Sequence, residues 1–185
     1  MKVTYFVIAI VLISCGTTKD INDTKVNTYP NSKYKKIRRT YSGTLNRTEY
    51  DELIKRLETE LKTTFPTDKS ILINYNKKAP NCSSARLSEK QNKIVTNNRI
   101  RISSRLSSNH NAIDFFVYAK DSYNREIYEQ MTGFIIDSGF FSENVFTYHK
   151  NCGGFLIIKP NGKFYKRYGE DYYSEVEAIL KRKKI

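Results

Sequence analysis

Apolar residues recur at helical spacing in two parts of the chain. The first stripe consists of Tyr50, Leu53, Ile54, Leu57, Leu61 and Phe65. It predicts an amphipathic helix that begins near Arg47 and ends at Pro66, with Thr48 and Asp51 approximating a capping box. The second stripe consists of Tyr172, Val176, Ile179 and Leu180. It predicts a final helix capped by Asp171.

Short continuous apolar runs predict buried strands at residues 71–75 and 112–119. Two further runs, residues 155–158 and 163–166, flank Pro160-Asn161-Gly162. Proline and glycine supply the turn geometry between antiparallel strands, so this segment predicts a β-hairpin.

Two segments have weaker patterns. Residues 83–111 are polar and basic with scattered apolar positions, for which we expect some helix and a short strand near residues 99–103. Ile127, Met131, Phe134 and Ile135 fall at helical spacing, so residues 122–137 are predicted to be helical.

The chain starts with Met1-Lys2 and an apolar run over residues 3–13. A helix needs about 20 apolar residues to cross a bilayer, so this run is too short and is typical of a secretory signal. The run ends in Leu12-Ile13-Ser14-Cys15, which resembles the lipobox of bacterial lipoproteins. That resemblance implies cleavage after Ser14, removal of residues 1–14 as a signal peptide, and attachment of palmitate-type acyl chains to Cys15.

Several acyl chains give stable membrane anchoring. The lipobox resemblance therefore implies a lipid-anchored protein of the cell envelope. Gly16 stands where an aspartate favours inner-membrane retention in enterobacteria, so we expect the outer membrane rather than the inner one. Lys19-Asp20 resembles the surface-export signals of Bacteroidota, and both the periplasmic and the surface face stay open.

The net charge of the chain is interpreted differently for a protein of the cell envelope. The 185 residues include 32 Lys and Arg against 19 Asp and Glu, a formal net charge of +13. Taken alone, this charge indicates an anionic partner such as nucleic acid or a membrane. An envelope protein does not meet chromosomal DNA or cytosolic RNA, so we expect no nucleic acid. We expect a membrane contact and an envelope protein partner, for which the positive charge favours an acidic protein.

Residues 15–46 are rich in Thr, Asn, Lys and Asp and show no helical or alternating period, which predicts a flexible tether. A basic cluster lies near its end: Lys33, Lys35, Lys36, Arg38 and Arg39. These residues either attract anionic lipid head groups or form a solvated charge run.

The predicted order after the tether is helix, strand, cysteine-bearing segment, strand, helix, hairpin and helix. This order, with the hairpin around Lys159-Pro160-Asn161-Gly162-Lys163, resembles the thioredoxin fold. The resemblance implies an α/β (α+β) three-layer sandwich with a central mixed sheet over residues 47–185.

The chain departs from the thioredoxin pattern at its redox site. The family carries Cys-x-x-Cys at the start of the helix after the first strand, whereas this chain has Cys82 alone. The family's cis-proline position falls near Cys152. The resemblance therefore implies that Cys82 and Cys152 are neighbours, which should pair in an oxidising envelope. Such a bridge is either structural or a labile redox couple.

These observations favour a non-enzymatic binding or scaffold subunit of an envelope assembly. The alternatives are a thiol–disulfide oxidoreductase that uses Cys82 and Cys152, and an immunity-type lipoprotein that binds an acidic toxin. His149 lies three residues before Cys152, but too few ligands accompany it for a zinc site, and His110 is predicted to lie in a loop. We expect no metal and no cofactor.

Overall fold

A six-stranded mixed sheet occupies the centre of the domain. The computed structural model describes residues 39–182, so the predicted signal peptide, Cys15 and most of the tether lie outside the described residues. The strands are β1 (Arg39–Thr44), β2 (Ser70–Asn76), β3 (Ala112–Tyr118), β4 (Phe134–Ile136), β5 (Gly153–Ile158) and β6 (Lys163–Tyr168). The helices are α1 (Arg47–Leu61), α2 (Glu89–Asn109), α3 (Arg125–Glu129) and α4 (Tyr173–Lys181). The expected α/β class with a central mixed sheet is confirmed.

The order of strands in the sheet is β1-β6-β5-β2-β3-β4. β2 runs parallel to β3 and β3 runs parallel to β4, whereas β2–β5, β5–β6 and β6–β1 are antiparallel. β2 lies between two neighbours and all seven of its residues are buried. A strand covered on both faces requires a continuous apolar run, which explains why the sequence predicted this strand.

Alternate strand residues face two separate cores. On one face, Ile71 and Ile73 pack with α1 and with Phe141 and Phe146 of the segment after β4. On the other face, Leu72 packs with residues of α2 and α4. The domain therefore has a layer of helical segments on each side of its sheet.

The first predicted helix is confirmed, but its cap differs. The side chain of Asn46 accepts a hydrogen bond from the Glu49 backbone N–H, and the Glu49 carboxylate accepts one from the Asn46 N–H. This capping box begins two residues earlier than the Thr48–Asp51 pair, because the helix begins at Arg47. The helix ends at Leu61, and Lys62 follows with a left-handed φ of 52°.

Residues 83–111 contain one long helix, so the short strand expected near residues 99–103 is wrong. Ser88 and Gln91 form a capping box, and α2 then continues for 21 residues. Ile102 and Leu106 both face the core shared with α4. Sparse apolar residues suffice on this helix because it contacts the sheet along one narrow face.

The helix expected over residues 122–137 is wrong in its second half. α3 covers only Arg125–Glu129, and Phe134–Ile136 forms the edge strand β4. Gly133 separates them with a φ of +91°, a conformation that L side chains rarely adopt. Phe134 then stacks on Tyr128 with ring centroids 4.4 Å apart. The apolar spacing therefore reflects an aromatic cluster rather than a helix.

The part of the predicted tether nearest the domain forms a strand. β1 pairs with β6 from Arg39 opposite Tyr168 to Thr44 opposite Lys163, and all six of its side chains are exposed. Such a strand has no apolar alternation to reveal it, because backbone hydrogen bonds hold it in place. The folded part therefore begins before residue 47.

The hairpin and the final helix match the prediction closely. Gly162 has a φ of +78° in the β5–β6 turn, and Tyr172, Val176, Ile179 and Leu180 are buried. Tyr172, rather than Asp171, is the residue that precedes α4, and no side chain caps this helix. Within residues 39–182, no helix has the length and apolar character needed to span a bilayer.

Candidate functional site: the disulfide edge of the sheet

One end of each of the six strands lies at the same edge of the sheet. β2 ends at Asn76 and the parallel strand β3 ends at Tyr118, whereas the antiparallel strand β5 begins opposite them at Gly153. β6 ends beside β5 at Tyr168, and β1 begins beside it at Arg39. We call this the disulfide edge. Carboxyl ends of parallel strands are common places for ligand sites, so its side chains form the candidate site.

A disulfide joins Cys82 and Cys152 at this edge. Cys82 follows the loop after β2, and Cys152 immediately precedes β5. Their Cα atoms are 5.1 Å apart, and the bridge spans a sequence separation of 70 residues. The predicted disulfide bond is confirmed, and it joins the segment after the central strand to its antiparallel neighbour.

Two asparagines reinforce this junction. The Asn81 side chain donates to Oδ1 of Asn151 at 2.7 Å, and its own Oδ1 accepts from the Cys152 backbone N–H at 3.1 Å. The Lys77 backbone N–H also donates to the Cys152 carbonyl at 2.8 Å. Both asparagines are buried. Hydrogen bonds therefore fix both cysteine segments alongside the covalent bond.

The disulfide is shielded from solvent. Cys82 is 0% exposed and Cys152 is 5% exposed, and both pack against Ala79. The Ala79 backbone N–H donates to Cys82 Sγ at 3.3 Å. Thiol–disulfide exchange requires a thiolate to approach a sulfur atom, and this packing obstructs that approach.

The backbone after Cys152 is also closely packed. A Cβ atom on Gly154 would lie 2.7 Å from the Arg167 carbonyl oxygen and 3.0 Å from the Phe146 ring. The peptide bonds of the described residues are all trans, so the cis-proline feature of the thioredoxin family has no counterpart at Cys152. Glycine at this position allows β5, β6 and Phe146 to meet next to the disulfide.

A buried polar network lies on the α2 side of the disulfide edge. Arg99 of α2 donates to Oδ1 of Asn76 at 2.8 Å and to the Tyr172 hydroxyl at 3.2 Å. That hydroxyl donates to Oδ1 of Asn74 at 2.9 Å, and Asn74 donates to the Ser103 hydroxyl at 2.9 Å. The network connects β2, α2 and the start of α4. Its polar atoms are mutually satisfied, so it specifies how these elements pack.

Glu170 also lies on the α2 side of the disulfide edge, next to the disulfide. Its carboxylate accepts from the Ser83 backbone N–H at 3.0 Å and from the Ser83 hydroxyl at 3.0 Å. Burial raises the pKa of Glu170, and the Ser83 N–H and Arg99 oppose that rise. Glu170, Ser83, Arg99 and Cys152 line a cavity of about 20 Å³, which has room for one water molecule.

Lys77 is a buried cation on the opposite side of the disulfide edge. It is 5% exposed, and its ammonium donates to the Phe146 carbonyl oxygen. Burial lowers the pKa of Lys77 to about 8, and Asp121 and Asp137 oppose this effect. Loss of hydration disfavours the charged form of an amine, so a minority of Lys77 side chains is neutral near pH 7.

Asp137 organises the loop that covers this side. Its carboxylate accepts from the backbone N–H groups of Gly139 and Phe141, each at 3.0 Å, and from that of Ser142 at 2.9 Å. The Tyr75 hydroxyl donates to the same carboxylate at 2.8 Å. Burial, followed by the charge of Asp137, raises the pKa of Tyr75. The aspartate therefore connects the end of β4 to the central strand.

A cavity of about 390 Å³ opens beside Lys77 and Asp137. Its charged or titratable lining consists of Lys77, Lys78, Lys120, Asp121, Asp137, Glu143 and His149. Cations and carboxylates are balanced there, so the cavity has no strong preference for one sign of ligand charge. Among the residues that the structure describes, no three His, Cys, Asp or Glu side chains are placed to hold a metal ion.

Most of the predicted anionic-surface residues lie outside the described residues, namely Lys33, Lys35, Lys36 and Arg38. Arg39 is described and begins β1, where its guanidinium lies 4.6 Å from the ring centroid of Tyr148. The lipidation residue Cys15 is outside the described range. His149 lines the cavity of about 390 Å³ beside Lys77, and His110 caps the end of α2.

Several residues of the site were not predicted. Asn81, Asn151, Arg99 and Asp137 are single polar residues in loops or on a polar helix, and no motif surrounds them. Arg99 contacts Asn76 and Tyr172, which are 23 and 73 positions away, and Asn81 contacts Asn151, which is 70 positions away. Asp137 had the clearest available signal, since an acid follows the apolar pair Ile135-Ile136 directly.

Comparison with protein families and with curated proteins found no match. The functional conclusion therefore depends on the sequence and on the geometry of the disulfide edge.

Proposed function

We propose that this protein is a lipid-anchored lipoprotein of the bacterial envelope whose degenerate thioredoxin-like domain binds a partner without exchanging disulfides. The observation that carries this proposal is the buried Cys82–Cys152 bridge. It stands where the thioredoxin resemblance expects an accessible pair of cysteines. A disulfide in that place that thiols cannot approach holds the fold together instead of performing redox chemistry.

The strand arrangement supports the thioredoxin-like part of the proposal. Within the sheet, β6-β5-β2-β3 contains a parallel β2–β3 pair joined through α2, and the β5–β6 hairpin is followed by α4. α2 and α4 contribute to one core on the same face. The thioredoxin resemblance implies this succession of elements. β1 and β4 then extend the sheet at its two outer edges.

An insulin-reduction assay tests the absence of exchange activity. The purified protein should reduce insulin no faster than a Cys82→Ala/Cys152→Ala variant, which keeps the rest of the chain. We also expect the bridge to have a reduction potential below about −300 mV, the range of structural disulfides. Turnover comparable to that of a thioredoxin, lost in the double variant, would establish the oxidoreductase alternative instead.

The lipid anchor requires a separate experiment. Cells that express the full chain and are fed labelled palmitate should label this protein and retain it in the membrane fraction. Cys15→Ser should abolish both labelling and membrane retention, whereas the Cys82→Ala/Cys152→Ala variant should keep both. A Cys15→Ser protein that is still labelled would disprove the proposed acylation site.

Charge supports an acidic partner protein. β1 and β6 lie side by side without any Asp or Glu. Arg39 and Lys166 lie on one face of this pair of strands, whereas Arg167, on the other face, forms an ion pair with Glu175. A partner captured with the tagged, membrane-extracted protein should therefore dissociate as the salt concentration rises. Arg39→Glu should weaken the capture. A partner whose binding is independent of salt and of this substitution would contradict the electrostatic part of the proposal.

A further inference from the structure

A basic cavity lies at the edge of the sheet opposite the disulfide edge. It occupies about 480 Å³ between the β5–β6 turn, the end of α4 and the segments that lead into β2 and β3. Its charged or titratable lining consists of Lys159, Lys163, Arg182, His110 and Asp68. We call it the basic cavity. Two lysines and one arginine line the cavity with one carboxylate, that of the exposed residue Asp68.

Two of these cations face each other across the hairpin. The Lys159 backbone N–H donates to the Lys163 carbonyl at 2.9 Å, so the two residues form a directly opposed pair. Like charges in such a pair destabilise the two strands. The two lysines therefore bring positive charge to the same part of the basic cavity.

The ammonium of Lys159 lies at the centre of this charge cluster. It is partly buried and donates to the Arg182 carbonyl at 2.8 Å, which uses one of its three N–H bonds. Burial lowers the pKa of Lys159, and the charges of Lys163 and Arg182 lower it further. Ion pairs within the described residues involve neither Lys159 nor the Arg182 side chain.

We propose that the basic cavity binds a phosphate group, carried either by a small molecule or by a lipid head group. A dianion matches three converging cations better than a single carboxylate does, and a guanidinium with ammonium groups is a common phosphate-binding set. The cavity is larger than phosphate itself and falls in the size range of small-molecule sites. Tyr165 and Leu180 supply an apolar wall for the organic part of the ligand.

Calorimetric titration of the purified full chain with inorganic phosphate, and then with phenyl phosphate, tests this site. Both should bind saturably, with phenyl phosphate binding more tightly because of the apolar wall. Arg182→Ala should lower the affinity at least about fivefold, as should Lys159→Met. Lys181→Ala is the matched control, since it removes the same charge one position earlier, where Lys181 pairs with Glu177 on the surface.

Vesicles distinguish the two sources of the phosphate. Binding to vesicles that contain phosphatidic acid, with phosphatidylcholine vesicles as the reference, should be lost in Arg182→Ala if the site takes a lipid head group. Loss of soluble phosphate binding alone indicates a small molecule. Absence of saturable binding to every probe, or equal losses in Arg182→Ala and Lys181→Ala, would overturn the proposal. The site involves none of the disulfide-edge residues, so its failure would leave the proposed function untouched.

Discussion

Breaking the Cys82–Cys152 bridge should lower the free energy of unfolding by about 4 kcal/mol. The bridge closes a loop with a sequence separation of 70 residues. In the chain-entropy treatment, a loop of this length restricts the unfolded ensemble by about 4 kcal/mol at 25 °C. The Asn81 hydrogen bonds to Asn151 and Cys152 do not involve the sulfur atoms, so we expect them to hold the two segments together after reduction.

Urea unfolding of the oxidised and the reduced protein measures this difference without changing any residue. Reduction should move the midpoint to lower urea and should steepen the transition, because an unfolded chain without a cross-link exposes more surface. For a chain of this length, the same loss corresponds to a decrease of roughly 8–16 °C in the melting temperature. The Cys82→Ala/Cys152→Ala variant, which must be insensitive to reductant, is the control.

Two results would refute this reasoning. If oxidised and reduced protein unfold at the same urea concentration, the bridge does not constrain the unfolded chain in the way proposed. If mild reductant opens the bridge rapidly in the native protein, the sulfur atoms are accessible, contrary to their burial. The second result would favour the redox alternative.

Four other substitutions test the same edge of the sheet. Between pH 8 and pH 10 the wild-type protein should gain about 2 kcal/mol of stability relative to Lys77→Met, because the pKa of Lys77 is about 8 when folded and near 10.5 when unfolded. Chemical denaturation of both proteins across this range measures the difference, which would be absent if Lys77 were solvated. Tyr172→Phe should cost about 1–3 kcal/mol, since it removes a buried hydroxyl with two partners. Tyr173→Phe should cost little, because that hydroxyl is buried without a hydrogen-bond partner in the described part of the chain. Gly154→Ala should cost about 1–3 kcal/mol through its clash with the Arg167 carbonyl, measured by the same denaturation.

The direction of the Lys77 prediction follows from how many protons the folded and unfolded states bind. A lysine whose pKa is lowered by folding loses its proton at a lower pH in the native state than in the unfolded state. Between the two pKa values the unfolded chain binds more protons, so stability rises with pH. Well below pH 8 both states are protonated and the full cost of burying the ammonium is present. Comparison with Lys77→Met removes the effects of the tyrosines, which are about half ionised near pH 10 in the unfolded chain.

The sequence by itself determined the elements whose evidence is local. The continuous apolar run of β2, the Pro160-Asn161-Gly162 turn and the apolar stripes of α1 and α4 each specify their structure within a few neighbouring residues. The pairing of Cys82 with Cys152 was also predicted, through the order of these elements and the thioredoxin resemblance they suggested. Local patterns are informative here because burial on a face imposes a fixed period on the chain.

The tertiary structure decided everything that depends on distant partners. β1 carries no apolar pattern and exists because β6 offers it backbone hydrogen bonds. The pKa of Lys77 depends on its burial below the Phe146 carbonyl, 69 positions away along the chain. The basic cavity likewise gathers the hairpin turn and the end of α4. Periodicity in a sequence records which face of an element is buried, but the groups that meet across that face are set only when the sheet and helices pack.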